Sequence, residues 1–331
     1  MDQSVLWRLG TIAFGAICIA LLYWAFVPVL RDGGSDNPDD SGAATPLATA
    51  GPSDPILVGA GDIARCGRRQ AELTAQLLDQ VVASGVETVV FAAGDNAYES
   101  GTIEEYEQCY GPTWGRHKDR TRPALGNHEY ELGNADGYFK YFGEIAGDPD
   151  EGYYSFNLGF WHIIVLNTNN HCRAVTCDSI SPQMQWLRAD LAANTAFCTL
   201  AIWHAPLFTT GTSEGSSSYL LPFWDVLYAS GVEVIVNGHE HNYERFAPQR
   251  PDSIFDANYG IRQFVVGTGG DSLTAFINSP AHNSEVRDDT THGVLKLTLH
   301  PATYDWEFMP IPGGDFRDAG SDECHGAPPS P

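Results

Sequence analysis

Five short motifs in the chain carry residue types that bind hard or borderline metal ions. Together they offer two carboxylates, a phenol, an amide oxygen and three or four imidazoles, with no thiolate among them. The motifs are Gly61-Asp62, Gly94-Asp95-Asn96-Ala97-Tyr98, Gly126-Asn127-His128-Glu129, His204-Ala205-Pro206 and Gly238-His239-Glu240-His241. Oxygen and nitrogen donors of this kind suit a pair of Fe, Zn or Mn ions. The set predicts a metal-dependent hydrolase.

Four of the five motifs directly follow a predicted strand. These strands are Ile56–Val58, Thr88–Ala92, Thr199–Trp203 and Val232–Val236. Polar groups at strand ends lie where α/β folds build their sites. Glycine directly precedes Asp62, Asp95, Asn127 and His239. We expect each glycine to let the chain turn sharply and direct the next side chain into the site.

The pattern Gly-His-x-His places His239 and His241 where they can reach two adjacent metal ions. Two metal ions about 3.5–4 Å apart can clamp a phosphate and generate hydroxide from bound water near neutral pH. A bridging carboxylate would offset part of their mutual repulsion. Asn127 would add a neutral oxygen ligand, which leaves His128 free to protonate a leaving alkoxide.

This combination resembles the calcineurin-like metallophosphoesterase superfamily, and within it the purple acid phosphatases. Most of the superfamily opens with Asp-x-His, whereas Asp62 is followed here by Ile63 and Ala64. The purple acid phosphatases also lack that histidine and supply a tyrosine three residues after the second aspartate, which is the position of Tyr98. The resemblance runs over residues 55 to 270 and includes every ligand position.

The resemblance implies a dinuclear metal centre. The implied Fe(III) site consists of Asp62, Asp95, Tyr98 and His241. The implied divalent site, for Fe, Zn or Mn, consists of Asp95, Asn127, His204 and His239. Asp95 would bridge the two ions, Asn127 and His128 would contact the substrate, and metal-bound hydroxide would attack phosphorus in line. The implied fold is an α/β/β/α sandwich of two sheets.

The sequence departs from the family pattern in two places. Ala64 stands where the family usually has glycine, and Leu207 to Ser218 lacks the further histidines that often help to bind phosphate. Hydrolysis of a small phosphomonoester is the leading prediction. A phosphodiesterase or nucleotide hydrolase on the same site is the alternative. A non-catalytic, membrane-tethered binding protein is the alternative of another class, and seven intact ligand positions argue against it.

Composition excludes one class of partner. Asp and Glu outnumber Lys and Arg by 42 to 18 in 331 residues, which gives a net charge of −24. Nucleic-acid binding needs a basic face, so we expect none. A phosphate substrate therefore gains no long-range attraction except from metal ions inside the site. The oligomeric state, the native metal pair and the pH optimum stay open.

The N-terminal segment is predicted to be a membrane anchor. Residues 9–30 contain no charge and are flanked by Arg8 and Arg31. This length can cross a hydrocarbon core of about 30 Å as one helix, and no small-residue cleavage site follows closely. We interpret 1–8 as a short tail, 9–30 as a transmembrane signal-anchor and 31–53 as a flexible linker. Charge placement weakly favours an external, extracytoplasmic C-terminal domain.

Cysteines support an oxidising location for that domain. Cys18 lies in the apolar segment, and six cysteines follow it. Cys172 and Cys177 are a natural pair because of their spacing. Cys66 with Cys109 and Cys198 with Cys324 would complete a set, but six cysteines allow 15 pairings and the sequence alone leaves the choice open.

Apolar spacing predicts an α/β domain over 54–312, followed by an irregular tail over 313–331. Its opening unit is a strand at 56–60, a helix over 68–84 and a strand over 87–93, which indicates a parallel core. A hairpin follows at 153–158 and 161–167. Further predicted helices cover 182–193 and 219–230, and further strands cover 262–266, 294–300 and 303–308.

Several residues near the motifs keep two interpretations. Glu129 and Glu240 either support the site or lie at the surface. Asn242, Tyr243 and Arg245 either reach the substrate phosphate or stabilise their loop. The remaining histidines have no supporting spacing and are expected to be structural or exposed: His117, His162, His171, His282, His292, His300 and His325.

Overall fold

The computed structural model describes residues 54–211, 217–276 and 279–329. Within these residues the strands are β1 Ile56–Ala60, β2 Ala64–Arg65, β3 Thr88–Ala93, β4 Ala97–Tyr98, β5 Thr121–Ala124, β6 Tyr154–Leu158, β7 Trp161–Val165, β8 Cys198–Ile202, β9 Val234–Asn237, β10 Tyr243–Phe246, β11 Arg262–Val266, β12 Ser284–Asp288, β13 Gly293–Leu299, β14 Thr303–Pro310 and β15 Ala319–Glu323. The α-helices are α1 Gln70–Val82, α2 Ile103–Glu105, α3 Asp136–Phe142, α4 Asn169–Cys172, α5 Pro182–Ala193 and α6 Leu221–Ala229.

The strands form two large sheets. The order in the first is β15-β14-β13-β1-β3-β5, and the order in the second is β12-β10-β11-β9-β8-β7-β6. β1, β3 and β5 are parallel to one another. β7, β8, β9 and β11 are likewise parallel in the second sheet. The carboxyl ends of each parallel set therefore share one edge of its sheet.

The two sheets pack face to face and are covered on the outside by helices. Ile163 of β7 packs in the same buried cluster as Leu57 of β1, in the other sheet. Its neighbour Ile164 packs with Leu187 of α5 and Phe223 of α6. Because successive strand residues point to opposite faces, this alternation places the second sheet between the first sheet and two helices. The predicted two-sheet core with outer helices is confirmed.

Helix α1 packs against β3 and β13 of the first sheet. Its buried stripe includes Ala71, Ala75 and Leu78, whose spacing puts them on one side of the helix. Helix α5 begins as predicted, with Pro182 in its first turn and the Ser181 hydroxyl accepting a hydrogen bond from the Met184 amide at 3.2 Å.

Two strands of the first sheet differ from the sequence-based prediction. β5 was not predicted because its four residues include Pro123, which strands tolerate at a sheet edge. The tail expected to be irregular over 313–331 instead contains β15, which pairs with β14 along Thr303–Glu307. Its residues Ala319–Glu323 are small or polar and half exposed, so they lack the apolar alternation that marks a strand.

Three disulfides are present in the domain, two between distant segments and one within a single short segment. The structure pairs Cys66 with Cys109, Cys172 with Cys177 and Cys198 with Cys324. These three pairs are the set that was offered above as one of the 15 pairings that six cysteines allow. The last bond ties the end of β15 to the start of β8.

The structure does not reach the proposed anchor. Residues 9–30 lie outside the described ranges. Inside those ranges, no helix has the length and apolarity needed to span a bilayer.

Candidate metal centre

Strand ends from both sheets deliver the seven candidate ligands to one place. Asp62 follows β1, while Asp95 and Tyr98 follow β3. Asn127 follows β5, the strand that sequence analysis missed, so all five motifs have a strand before them. His204 follows β8, and His239 and His241 follow β9. The carboxyl edges of the two parallel sets thus meet across the sandwich.

One group of ligand atoms surrounds the Tyr98 phenol. Its Oη lies 3.0 Å from Asp62 Oδ1 and 3.2 Å from Asp95 Oδ2. It also lies 3.1 Å from His241 Nε2. His241 Nε2 is in turn 3.2 Å from Asp62 Oδ1. Four donor atoms, from the residues expected to hold Fe(III), therefore converge on one point.

A second group lies on the other side of Asp95. His204 Nε2 is 3.2 Å from Asp95 Oδ2 and 3.1 Å from Asn127 Oδ1. His239 Nδ1 lies 3.0 Å from the same Asn127 oxygen and 3.2 Å from His204 Nε2. Asp95, His204 and His239 each offer an atom within 4.8 Å of the others. Asp95 Oδ2 belongs to both groups, so its position is that of a bridge.

The ring orientations of two histidines fit cation binding. His204 Nδ1 lies 2.8 Å from the Ala93 carbonyl oxygen, and His241 Nδ1 lies 2.7 Å from that of Ser272. A carbonyl oxygen only accepts, so each Nδ1 carries a proton and the neutral ring turns the Nε2 lone pair toward the carboxylates. Such second-partner hydrogen bonds are typical of metal-binding histidines. The donor set therefore fits a pair of metal ions.

The same carboxylates control the protonation of these histidines when metal is removed. Burial alone lowers the pKa of His204, but the Asp95 carboxylate outweighs burial and raises that pKa from 6.5 to about 10. Burial also lowers the pKa of His241, and Asp62 outweighs it to raise that pKa from 6.5 to about 9. Without cations, protons on these rings balance the buried carboxylates.

The metal-free protein is therefore expected to lose stability as pH rises. Both folded-state pKa values lie above 6.5, so the stabilisation is complete below pH 6.5 and is lost as pH passes about 9 for His241 and about 10 for His204. Urea unfolding of protein from which a chelator has removed the metal, repeated across this pH range, measures the loss in the free energy of unfolding. Metal-loaded protein is the control, because cations replace the protons. Equal stability of the chelated protein at both ends of the range would contradict the expectation.

Backbone conformation corrects the expected role of the glycines. The left-handed conformation falls on the ligand residues themselves, with φ of 60° at Asp62, 50° at Asp95 and 73° at His239. Among the four preceding glycines only Gly94 shares it, with φ of 84°. At Gly126 the missing side chain makes room instead, since a Cβ there would lie 2.1 Å from Asp95 Oδ1.

Glu129 joins the loop that carries Asp95 to the loop that carries Gly126 and Asn127. Its side chain is buried, and its carboxylate accepts hydrogen bonds from the amides of Asp95 at 3.0 Å, Asn96 at 2.8 Å and Gly126 at 2.7 Å. The Tyr106 hydroxyl donates a fourth at 2.9 Å. Burial and the nearby Asp95 charge raise the pKa of Glu129. Glu129 therefore supports the site and does not lie at the surface.

The structure also decides between the two interpretations for residues in and after the Gly-His-x-His motif. Glu240 is fully buried, so the surface interpretation is wrong for it. Tyr243 and Arg245 point away from the site: the Tyr243 hydroxyl and Arg245 Nε each donate to Asp318 Oδ2 at 2.7 Å. They stabilise the C-terminal chain and do not reach the candidate ligands.

Sequence analysis missed a charged group on the Tyr98 side of the site. Asp271, nearly fully buried, binds Arg65 through two hydrogen bonds of 2.6 and 2.9 Å. Arg68 Nε lies 3.4 Å from the same carboxylate. His292 Nε2 lies 2.7 Å from the Asp271 carbonyl oxygen, so a histidine expected to be structural or exposed lies beside the site. Arg68 and Asp271 each follow a glycine, but neither lies directly after a predicted strand, so the pattern that marked the ligands does not mark them.

The fold and site together define a metallophosphoesterase-type α/β protein, and comparison with known proteins agrees. The family model for calcineurin-like phosphoesterases matches residues 56–243, more than half of the chain. The chain belongs to the calcineurin-like phosphoesterase family, which confirms the assignment made from the motifs.

Individual relatives include purple acid phosphatases. Purple acid phosphatase 15 of Arabidopsis thaliana is 28% identical over 161 residues, which cover 43% of this chain and 29% of that protein. The chain thus spans less than a third of this curated relative. Purple acid phosphatase PPD1 from yellow lupin seeds has a similar fold, with a TM-score of 0.65, 21% identity, and coverage of 81% of this chain and 53% of that one.

A third similar structure is described by a different role. GAP50 of Plasmodium, the anchor in the inner membrane complex, has a TM-score of 0.61 at 14% identity, and the match covers 80% of this chain and 88% of that one. At this identity the likeness shows the fold alone.

Proposed function

We propose that the protein is a dinuclear metal-dependent phosphoric ester hydrolase that acts on small phosphomonoesters. The observation that carries the proposal is the convergence of seven donor side chains in two groups that share Asp95 Oδ2. Asp62, Tyr98 and His241 would hold Fe(III) with Asp95. Asn127, His204 and His239 would hold Fe, Zn or Mn(II) with Asp95. When bound, the metal pair supplies Lewis-acid polarisation of the ester and an activated water.

His128 has the position of a general acid at the edge of this site. Its Nδ1 lies 2.6 Å from the Glu99 carbonyl oxygen, so this nitrogen donates and the ring is held in one orientation. Its Nε2 lies 3.8 Å from Asp95 Oδ2, and 22% of its side chain is exposed. In the imidazolium form Nε2 carries the second proton, which it would donate to the leaving alkoxide. Asn127, the preceding residue, would orient the phosphate.

His128→Ala is expected to slow the hydrolysis of esters with poor leaving groups most, by about 10²-fold in kcat. The kcat for esters whose leaving groups depart without a proton should fall only slightly. The measurement is the slope of log kcat against leaving-group pKa, together with metal content, which should stay normal. The exposed His282, changed to Ala, is the control. An equal loss for good and poor leaving groups would contradict the role.

A comparison of two ester types tests the substrate class. The metal-loaded full chain is assayed across pH with an aryl phosphomonoester and the matching bis-aryl phosphodiester. A clear monoester preference supports the proposal. A diester preference would move the protein to the phosphodiesterase alternative. Absence of turnover with both metal ions bound would instead favour a non-catalytic, membrane-tethered binding protein, a role compatible with the fold that GAP50 shares.

We also propose that the domain is membrane-anchored and extracytoplasmic. Three disulfides favour an oxidising compartment. The uncharged segment 9–30 is long enough for an anchor. Protease added outside intact cells should release the domain from the membrane fraction. A domain that is cleaved only after lysis would contradict this location.

A further inference from the structure

Two arginines lie beside the candidate metal centre, on the side of Tyr98 and His241. The Arg65 guanidinium carbon is 4.8 Å from the centre of the Tyr98 ring, whose hydroxyl belongs to the first group of ligand atoms. Arg68 is the next cation along the chain, and 40% of its side chain is exposed. Two neighbouring guanidinium groups at one site are uncommon in a chain with 18 Lys and Arg against 42 Asp and Glu.

Asp271 fixes the arginines in place. Its buried carboxylate accepts hydrogen bonds from both Nε and Nη2 of Arg65. Arg68 Nε lies 3.4 Å from the same carboxylate. The same carboxylate has Oδ2 3.9 Å from His241 Nδ1, so it links the guanidinium groups to a candidate ligand. Because the pairing is bidentate, it holds the Arg65 fork in a defined orientation.

The remaining edge of Arg65 faces an exchangeable partner. Its Nη1 pairs with the carboxylate of Glu99, whose side chain is 60% exposed. A surface ion pair of this kind contributes little and can open. Glu99 therefore occupies a position that an anionic group of a ligand can take. His292, held by the Asp271 carbonyl oxygen, lies on the same side.

We propose that Arg65 and Arg68 form a subsite for a second anionic group of the substrate. This inference rests on the proposed function and extends its substrates from phosphomonoesters to compounds whose terminal phosphoryl group is joined to a second one, such as nucleoside diphosphates. The terminal phosphoryl group would lie at the metal centre, and its neighbour would bind the guanidinium groups. Water adds to the terminal phosphorus and the bond to the bridging oxygen breaks. The products are inorganic phosphate, which contains the oxygen from water, and the shortened phosphate, which keeps the former bridging oxygen. The proton lost by the water goes to that oxygen or to solvent, according to pH.

A matched pair of nucleotides tests the subsite, since ADP and AMP differ by one phosphoryl group. Arg68→Gln is expected to lower kcat/KM for ADP about tenfold more than for AMP, the scale of one charge-assisted contact. Arg69→Gln removes the same charge from an exposed neighbour and should leave the ratio of ADP to AMP unchanged. Calorimetric binding of α,β-methylene-ADP, independent of turnover, should weaken about tenfold in Arg68→Gln and stay unchanged in Arg69→Gln.

The outcomes separate this inference from the proposed function. Equal losses for ADP and AMP, or no loss for either, would overturn the subsite while hydrolysis by the wild-type protein leaves the proposed function standing. A shifted ratio in Arg69→Gln would also overturn it, because general charge would then explain the effect. Metal-loaded wild-type protein that hydrolyses neither nucleotide nor an aryl phosphate would contradict the proposed function itself.

Discussion

Asp95→Ala is expected to bind neither metal ion and to lose kcat/KM by at least about 10³-fold, the upper part of the range for a single group that stabilises transition-state charge. Asp95 Oδ2 lies within 3.2 Å of donor atoms from both groups, Tyr98 Oη and His204 Nε2. Its Oδ1 accepts a hydrogen bond from the His128 amide at 2.9 Å, so the change also frees the loop of the general acid. Metal content by mass spectrometry and kcat/KM on an aryl phosphate measure both effects.

Two further variants control this result. Asp95→Asn keeps the shape of the side chain and an oxygen ligand, so it should retain part of the metal and show a smaller loss. Asp190→Asn removes a half-buried carboxylate that pairs with His162, away from the candidate ligands. It should keep both metal ions and full activity. Normal metal content in Asp95→Ala would contradict the bridging role.

Glu129→Ala is expected to lower the free energy of unfolding by about 3–5 kcal/mol and to abolish most activity. The change leaves three buried amide donors and the Tyr106 hydroxyl without their acceptor. Each buried group that loses its partner costs about 1–3 kcal/mol, which relaxation of the loops reduces in part. Since two of the amides belong to Asp95 and Gly126, the two metal-binding loops lose their common support. Urea unfolding of chelated protein measures the stability term without metal.

Glu131→Ala is the matched control for that change. Glu131 lies two residues further along and is exposed, so its removal should shift stability by less than about 0.5 kcal/mol. The stability of Glu129→Gln should lie between those of Glu129→Ala and Glu131→Ala. Its side-chain oxygen remains an acceptor, but its NH₂ group turns a donor toward the backbone amides. Wild-type stability in Glu129→Ala would show that the loops do not depend on this carboxylate.

The motif residues could be predicted because each combines a chemical signal with a positional one. Asp62, Asp95, His204 and His239 follow apolar runs that read as buried strands, and the structure places them together. The architecture followed from the same runs, since a strand with apolar residues at every position, such as β1, must be covered on both faces.

The residues that sequence analysis missed act through contacts between distant segments. Asp271 and Arg65 are 206 positions apart, and no local pattern links them. Arg245 follows the motif directly and still points to Asp318, because β10 turns its side chain toward the C-terminal chain. Gly126 is a third case: its place before a ligand predicts a sharp turn, whereas it provides space against a carboxylate contributed by another loop. Such roles depend on packing, which a single sequence does not display.

Anomalous X-ray diffraction from crystals of the metal-loaded protein would locate the bound metal ions. A dinuclear centre predicts two peaks, one on each side of the Asp95 carboxylate. The first should lie among Asp62, Tyr98 and His241, and the second among Asn127, His204 and His239. A single peak at full metal loading, or peaks away from these side chains, would contradict a dinuclear centre at this site.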